Sequence, residues 1–167
     1  MSSTNKILLN QERMQKLFEY KDGSLYWKMK IAKCIKIGAE AGFKQGNGYR
    51  GVVIDKKIYS LHRIIFLHQH GYLPEIVDHI DGDILNNRIE NLRGATRNEN
   101  LYNRRVGVNN TSGVKNVSWN KASQKWTVLI QQQGKPRYFG RYESLDEAKQ
   151  IALDARKKLH GSFARHV

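Results

Sequence analysis

The sequence has few of the residues and segments that would mark it as an extracellular or membrane protein. Cys34 is the single cysteine among 167 residues, which excludes an internal disulfide and any zinc site built from several cysteines. No apolar run approaches the roughly 20 residues of a membrane span, and the start, MSSTNKILLNQERMQ, lacks the apolar core of a signal peptide. We therefore expect a cytoplasmic protein with no membrane partner.

Acidic residues are also scarce, because 15 Asp and Glu face 29 Lys and Arg, which gives a formal net charge of +14. Hydrophobic residues make up 40% of the chain, so one or two small domains can form cores. The basic residues are spread through folded-looking sequence rather than confined to a tail. That distribution favours a nucleic acid as the polyanionic partner, and no basic amphipathic helix with bulky apolar anchors suggests a membrane surface.

The charge divides unevenly along the chain. Residues 1–100 hold 16 basic and 11 acidic residues, whereas residues 101–167 hold 13 basic and four acidic residues. A polar, turn-prone stretch over residues 104–112 lies between the halves and predicts a linker. Two domains are therefore expected, with the stronger excess of positive charge in the second.

The stretch VDHIDGD, Val77 to Asp83, departs from this basic background with three carboxylates and a histidine. EIVDHI predicts a strand, DGDILNNRIEN a loop, and LRGAT a second strand. Thr96 and Glu99 then have capping-box spacing, which predicts the start of a helix. The acidic stretch is thus expected inside a strand–loop–strand–helix unit.

A calcium loop and a simple turn are two alternatives for this stretch. The EF-hand pattern fails, because alignment on Gly82 puts Val77 and His79 at positions that need oxygen ligands. A turn explains Asp81 and Gly82. It does not explain Asp78 and His79, since a carboxylate at the end of an apolar strand is costly to desolvate without compensation.

A bound metal ion would supply that compensation. Asp78 ends a strand and Asn100 lies early in the following helix, so the unit can bring together a carboxylate and an amide oxygen, ligands that suit one Mg²⁺ or Mn²⁺ ion. His79 should face the other side of the strand, where it can act as a general base. Asn91 is placed to hold one nitrogen of that ring. No small-molecule cofactor beyond the metal is expected.

The stretch DHIDGDILNNRIENLRGATRNEN resembles the motif of HNH endonucleases, the ββα-metal nucleases, most closely those of phages and group I intron homing endonucleases. The resemblance extends over about residues 10–103. It implies that His79 is the general base, that Asp78 and Asn100 are the metal ligands, and that Asn91 orients the base. It also implies hydrolysis of a phosphodiester bond with one ion, leaving a 5′ phosphate. Arg93 and Arg97 flank the motif and are candidate phosphate contacts.

The second half predicts three strands and a helix. GVKNVSW, KWTVLIQQQ and RYFGRY have strand patterns, and Ser144 and Glu147 have capping-box spacing before a helix with an apolar face. Alternation along KWTVLIQQQ puts Trp126, Val128 and Ile130 under that helix. A solvated surface is one interpretation of the opposite face, and DNA binding is the favoured one. Its candidate DNA contacts are Lys115, Lys125, Thr127, Gln131, Tyr138 and Arg141.

This half, residues 111–165, resembles the AP2 DNA-binding domain through its V-S-W, K-W and F-G-R-Y strands and its LHG-terminated helix. Several positions that carry arginine in plant AP2 factors hold Ser118, Asn120 and Gln131 here, so the base preference does not transfer. The predicted class is α+β: a ββα-metal HNH domain over 1–103, a linker over 104–112, and an AP2-like domain over 113–167.

The leading hypothesis is therefore a metal-dependent DNA endonuclease acting on double-stranded DNA, by nicking or double-strand cleavage. It would be monomeric and phage-encoded, and it would work in the cytoplasm of a bacterial host. One alternative is a DNA-binding regulator whose HNH unit is inactive. Another is a protein that binds or cleaves RNA.

Overall fold

The computed structural model of the protein describes residues 9–107 and 109–165. The remaining positions, 1–8, 108 and 166–167, lie outside the described residues. They belong respectively to the predicted nuclease domain, linker and C-terminal domain. Several small sheets and a few helices make up the described part, which confirms the predicted α+β class.

The chain divides into two compact units, residues 1–94 and 95–167. This division falls at Gly94, before the helix that closes the HNH motif, whereas the sequence predicted that the nuclease domain extends to residue 103. The helix therefore belongs structurally to the second unit. The functional limits 1–103, 104–112 and 113–167 stay a prediction.

Over its described residues, the first unit holds two α-helices, a short 3₁₀ helix over Ile89–Asn91 and seven strands. In chain order the helices and strands are α1 (Gln11–Leu17), β1 (Phe18–Lys21), β2 (Ser24–Trp27), β3 (Phe43–Lys44), β4 (Arg50–Ile54), β5 (Lys57–Ser60), α2 (Leu61–His70), β6 (Ile76–His79) and β7 (Leu92–Ala95). The hydrogen-bonded sheets are β1–β2, β3–β4–β5 and β6–β7, with β7 ending just beyond the boundary.

Local sequence explains where the helices of this unit begin and end. Asn10 caps α1, because its side-chain oxygen accepts a hydrogen bond from the Arg13 N–H at 2.9 Å. The stretch QERMQKLFEY, Gln11 to Tyr20, predicts a short helix, but Phe18 begins β1, where it pairs with Trp27. The stretch LHRIIFLHQHG predicts a short buried helix closed by Gly71, and α2 ends there, with φ 78° at Gly71.

α2 is the centre of the first hydrophobic core. Leu61, Ile64 and Ile65 are buried along it and pack with residues of α1 and of the β1–β2 hairpin. Val77 of β6 joins the same core. Because side chains alternate along a strand, anchoring Val77 fixes how the strand presents the residues that follow it.

The part of the second unit that the structure describes contains two helices, three strands and a short 3₁₀ helix over Gly161–Phe163. The helices and strands are α3 (Arg97–Tyr102), β8 (Val117–Asn120), β9 (Lys125–Gln132), β10 (Lys135–Tyr142) and α4 (Leu145–His160). The predicted capping box of α3 is confirmed, since Thr96 Oγ1 accepts from Glu99 N–H and the Glu99 carboxylate accepts from Thr96 N–H. Ser144 likewise caps α4 through the Glu147 N–H.

The three strands form one antiparallel sheet in the order β8–β9–β10, and α4 covers one of its faces. Val117, Val128 and Ile130 of the sheet are buried with Ala148 and Ala152 of the helix. The predicted strands, helix and covered face are therefore confirmed, while the likeness to the AP2 fold stays a prediction. Across residues 9–107 and 109–165, every helix is too short or too polar to span a membrane.

Candidate active site and nucleic-acid face

Strand β6 carries two candidate site residues at adjacent positions. Asp78 and His79 are the last two residues of the strand, and both are buried. The chain then turns at Gly82, whose φ of 69° favours glycine and whose N–H donates to the His79 carbonyl at 2.9 Å. The turn fixes the backbone immediately after the histidine, so its ring is held on a rigid support.

Asn87 holds the ring of His79. The His79 Nε2 lies 2.9 Å from the Asn87 Oδ1, and both side chains are buried. An amide oxygen only accepts hydrogen bonds, so Nε2 carries the proton and Nδ1 is the basic nitrogen of the neutral ring. A general base requires a ring whose orientation is fixed in this way.

The predicted contact between Asn91 and the histidine is wrong. The Asn91 Oδ1 accepts from the Asp81 N–H at 3.0 Å, and its Nδ2 donates to the Asp81 carboxylate at 2.9 Å and to the Asn86 carbonyl at 2.8 Å. Asn91 therefore shapes the loop that carries Asn87. A turn in this loop also explains Asn86 and Asn87 from the sequence alone, and no spacing rule separates these two adjacent residues.

Asp81 is the centre of this loop. Its carboxylate accepts from the Asp83 N–H at 2.8 Å and from the Asn86 amide at 2.7 Å, in addition to Asn91. Burial raises the pKa of Asp81, but these hydrogen bonds and the nearby His79 lower it more, so the pKa lies below its usual range. An ionised Asp81 thus organises the loop, as the sequence predicted for this residue.

Asp78 is paired with Arg93, its neighbour on the adjacent strand β7. The Arg93 Nε and Nη2 lie 3.0 and 2.9 Å from Asp78 Oδ2. The Asp78 side chain is only 7% exposed and the Arg93 side chain only 15%. From the sequence, a metal ion is the predicted compensation for this buried carboxylate. A guanidinium supplies that compensation here, so the Arg93 side chain is engaged within the site.

Two further aromatic rings line the His79 side chain. The His62 ring centroid is 5.0 Å from that of His79, and Tyr49 lies 5.3 Å from His62 and 6.2 Å from His79. Burial, followed by the charges of His79 and Arg63, lowers the pKa of His62 to about 3. His62 therefore stays neutral at neutral pH, when it would otherwise compete with His79 for a proton. From the sequence, the position of His62 at the start of a buried helix predicts a structural role, with a DNA contact as the alternative.

The other predicted site residues of the motif lie in the second unit. Asn100 is half-buried on α3, and Arg97 is exposed at the start of that helix. Within residues 9–107 and 109–165, no group of three or more His, Cys, Asp and Glu side chains is arranged to hold a metal. A site of one carboxylate and one amide would not form such a group, and its hard oxygen donors fit Mg²⁺ or Mn²⁺.

The C-terminal sheet brings most of the predicted DNA contacts onto its uncovered face. Thr127 is opposite Arg141 and Leu129 is opposite Tyr138 in the β9–β10 register, so these four side chains share a face. Lys125 and Gln131 join them by alternation along β9. Tyr138 is 60% exposed. The face therefore combines cationic, amide and aromatic groups that can contact a nucleic acid.

Lys115 and Thr127 depart from the predicted use of this face. Lys115 precedes β8, and its ammonium group donates to the backbone carbonyls of Tyr102 (2.6 Å) and Arg104. The Thr127 hydroxyl oxygen is buried. Lys125 lies 3.1 Å from the Glu143 carboxylate in an exposed ion pair. Of the predicted contacts on this face, Gln131, Tyr138 and Arg141 are exposed.

Comparison with known proteins identifies part of this structure. The family model described as HNH endonuclease matches residues 59–102, from the end of β5 through α3. Protein 3.8 of Escherichia phage T7 is 40% identical to the chain over 98 residues, which are 58% of this chain and 80% of that protein. No solved structure matches the chain.

Proposed function

The chain belongs to the family of Protein 3.8 of Escherichia phage T7. We propose that it is a metal-dependent DNA endonuclease of the HNH type. The observation that carries the proposal is the buried pair of His79 and Asn87 beside Asp78, inside the segment that matches the HNH endonucleases. A histidine with one nitrogen fixed and the other basic is the group that a hydrolase needs to activate water.

His79 is the proposed general base. Its Nδ1 takes a proton from a water molecule, and the resulting hydroxide attacks the phosphorus, which breaks the bond to the leaving 3′ oxygen. Asn87 holds the opposite nitrogen, so the ring keeps the tautomer and direction that the step requires. Asn91 acts through the loop: it anchors Asp81 and thereby the backbone that carries Asn87.

Asp78 and Asn100 are the proposed ligands of one Mg²⁺ or Mn²⁺ ion. They provide a carboxylate and an amide oxygen, which are hard donors, and the HNH match includes both residues. When bound, the ion would stabilise negative charge on the phosphate and the leaving oxygen. Arg93 is ion-paired with Asp78, so its guanidinium would also lie close to a substrate phosphate bound at the metal.

Double-stranded DNA is the proposed substrate. The chain has a net charge of +14, and the uncovered face of the C-terminal sheet presents Gln131, Tyr138 and Arg141. We propose that this AP2-like sheet holds the DNA, with Lys125 and Thr127 at its margin. A monomer with one catalytic site would nick one strand, and the phage relative supports a role in an infected bacterial cell.

A DNA-binding regulator with an inactive HNH unit is the second candidate. The Asp78–Arg93 ion pair favours it, because an arginine there neutralises the carboxylate that the nuclease needs for its metal. Both candidates bind DNA, so binding alone does not distinguish them. Cleavage that depends on a divalent ion and on His79 does.

The deciding experiment incubates the full chain with supercoiled phage and host DNA in Mg²⁺, Mn²⁺ or EDTA. We expect nicked product only with a divalent ion. His79→Ala should lower the rate at least about 100-fold, since general bases contribute about 10²–10⁴ in rate. His70→Ala, an exposed histidine outside the site, is the matched control.

Two asparagine variants sharpen this test. Asn87→Leu should lower the cleavage rate about 10–100-fold at unchanged DNA affinity, because the ring loses its fixed orientation. Asn91→Leu should mainly lower thermal stability, because it removes hydrogen bonds within the loop. A chain that binds DNA but yields no product from any of these DNAs with either ion would favour the regulator.

A further inference from the structure

We propose that the C-terminal module, defined here as residues 113–165, positions helix α3 as well as binding DNA, and does so through Tyr102. This inference rests on the proposed function, in which Asn100 of α3 is a metal ligand. Three separate parts of the module contact Tyr102: Lys115 before β8, Gln133 in the β9–β10 turn, and His160 at the end of α4. All of these contacts lie within the second unit.

Lys115 acts as the C-terminal cap of α3. Its ammonium group donates to the carbonyls of Tyr102 and Arg104, where the helix ends and its last carbonyls lack partners within the helix. A cation at this end also complements the helix dipole. The guanidinium of the buried Arg156 donates to the Lys115 backbone carbonyl and so fixes the cap in turn. Lys115 is thus tied to the module through its backbone and to α3 through its side chain.

The Tyr102 ring is held from two further sides. It stacks on the His160 ring with 3.7 Å between centroids and 3° between planes. The Tyr102 hydroxyl accepts a hydrogen bond from the Gln133 N–H at 2.8 Å. The His160 ring is itself fixed, because its Nε2 lies 2.8 Å from the Gln131 carbonyl. The ring, the hydroxyl and the backbone carbonyl of Tyr102 therefore each contact the C-terminal module.

This attachment matters because α3 cannot hold itself. It has six residues, none of them buried, and isolated helices shorter than about 12 residues are marginal in water. Asn100 lies two residues before Tyr102, within the same turn. An attachment that fixes Tyr102 therefore fixes the backbone from which the Asn100 side chain projects. The module would thus hold the proposed metal ligand Asn100 in position. Lys115 and Tyr102 would be positioning residues.

The test compares Lys115→Met with Lys121→Met, which removes an exposed lysine from the β8–β9 turn of the same module. In the metal-free full chain, amide hydrogen exchange of residues 100–103 should accelerate on the order of 10-fold or more in Lys115→Met and stay unchanged in Lys121→Met. Tyr102→Phe, which keeps the stack and loses the hydroxyl, should show a smaller acceleration. Lys115→Arg should restore protection, because a guanidinium can also donate to the carbonyls.

Two further measurements separate positioning from other roles. Mn²⁺ binding without DNA, followed by electron paramagnetic resonance, should weaken about 3–10-fold in Lys115→Met, and the Mg²⁺ midpoint of cleavage should rise by a similar factor. The rate at saturating Mg²⁺ should recover. Affinity for duplex DNA in EDTA should match that of Lys121→Met.

Unchanged exchange together with weaker DNA binding would overturn the proposal and make Lys115 a DNA contact, as the sequence predicted. Faster exchange with unchanged Mn²⁺ affinity would also overturn it, since α3 would then be held without serving a metal ligand. If the chain cleaves no DNA, the proposed function fails separately, and the exchange and Mn²⁺ measurements still decide this inference.

Discussion

The loop after β6 and the uncovered face of the C-terminal sheet use polar residues in opposite ways. At the end of β6 and in the loop that follows it, Asp78, His79 and Asn87 are buried, and each is held by a hydrogen bond or an ion pair. On the sheet face, Tyr138 and Arg141 are exposed. Chemistry on one phosphorus atom requires fixed groups, whereas contact with a long polyanion tolerates mobile ones. Substitutions should therefore cost stability in the loop and only affinity on the face.

The largest effect on stability is expected at Arg93. Arg93→Met leaves the Asp78 carboxylate buried without its guanidinium, and breaking a buried ion pair in this way costs about 3–5 kcal/mol. Lys21→Met is the matched control, since its pair with Glu19 is more than half exposed and should contribute at most about 1 kcal/mol. Urea denaturation measures both. Equal losses in the two variants would show that the Asp78–Arg93 pair is not protected from solvent.

His62 predicts how the site responds to acid. Its pKa is lowered to about 3 in the folded protein, chiefly by burial, so below pH 6.5 the unfolded chain binds a proton that the folded chain does not. Stability contributed by neutral His62 is therefore present above pH 6.5 and is lost as the pH falls toward 3. Between pH 7 and pH 5 the loss amounts to about 2 kcal/mol.

His62→Gln isolates this contribution. The variant should lose about 2 kcal/mol less than the wild type between pH 7 and pH 5, because it has no proton to bind in this range. His70→Gln, at an exposed histidine of the same helix, should keep the wild-type dependence. Parallel stability curves for the wild type and His62→Gln would mean that the folded protein protonates His62 readily.

Sequence patterns predicted the parts that follow from local chemistry. The caps at Thr96 and Ser144, the αL residue Gly71 and the apolar stripe of α4 each depend on neighbours within a few residues, and all of them are confirmed. The position of Asp78 and His79 at the end of a strand followed from the same kind of pattern.

The partners of the site residues could not be predicted in this way. Arg93 contacts Asp78 from the adjacent strand β7, and the His62 ring approaches His79 from helix α2. Both contacts therefore depend on tertiary packing. Asn87 and Asn91 have the same side chain, and only the folded loop decides which one meets the histidine. The sequence pattern predicted that Lys115 points outward from the sheet. In the structure its ammonium group instead donates to the Tyr102 carbonyl at the end of α3.

The smallest effect is expected on the exposed sheet face. Arg141→Met should leave stability within about 0.5 kcal/mol, because surface substitutions away from buried networks change little. If Arg141 contacts a phosphate, affinity for duplex DNA should fall about 3–10-fold at low salt, and the slope of log affinity against log salt should shrink by about 0.9. Lys149→Met, an equal loss of charge on α4, controls for net charge. Identical slopes for the two variants would show that Arg141 contributes only through overall charge. The sheet face would then not be a DNA-contacting surface of the kind contrasted with the fixed site.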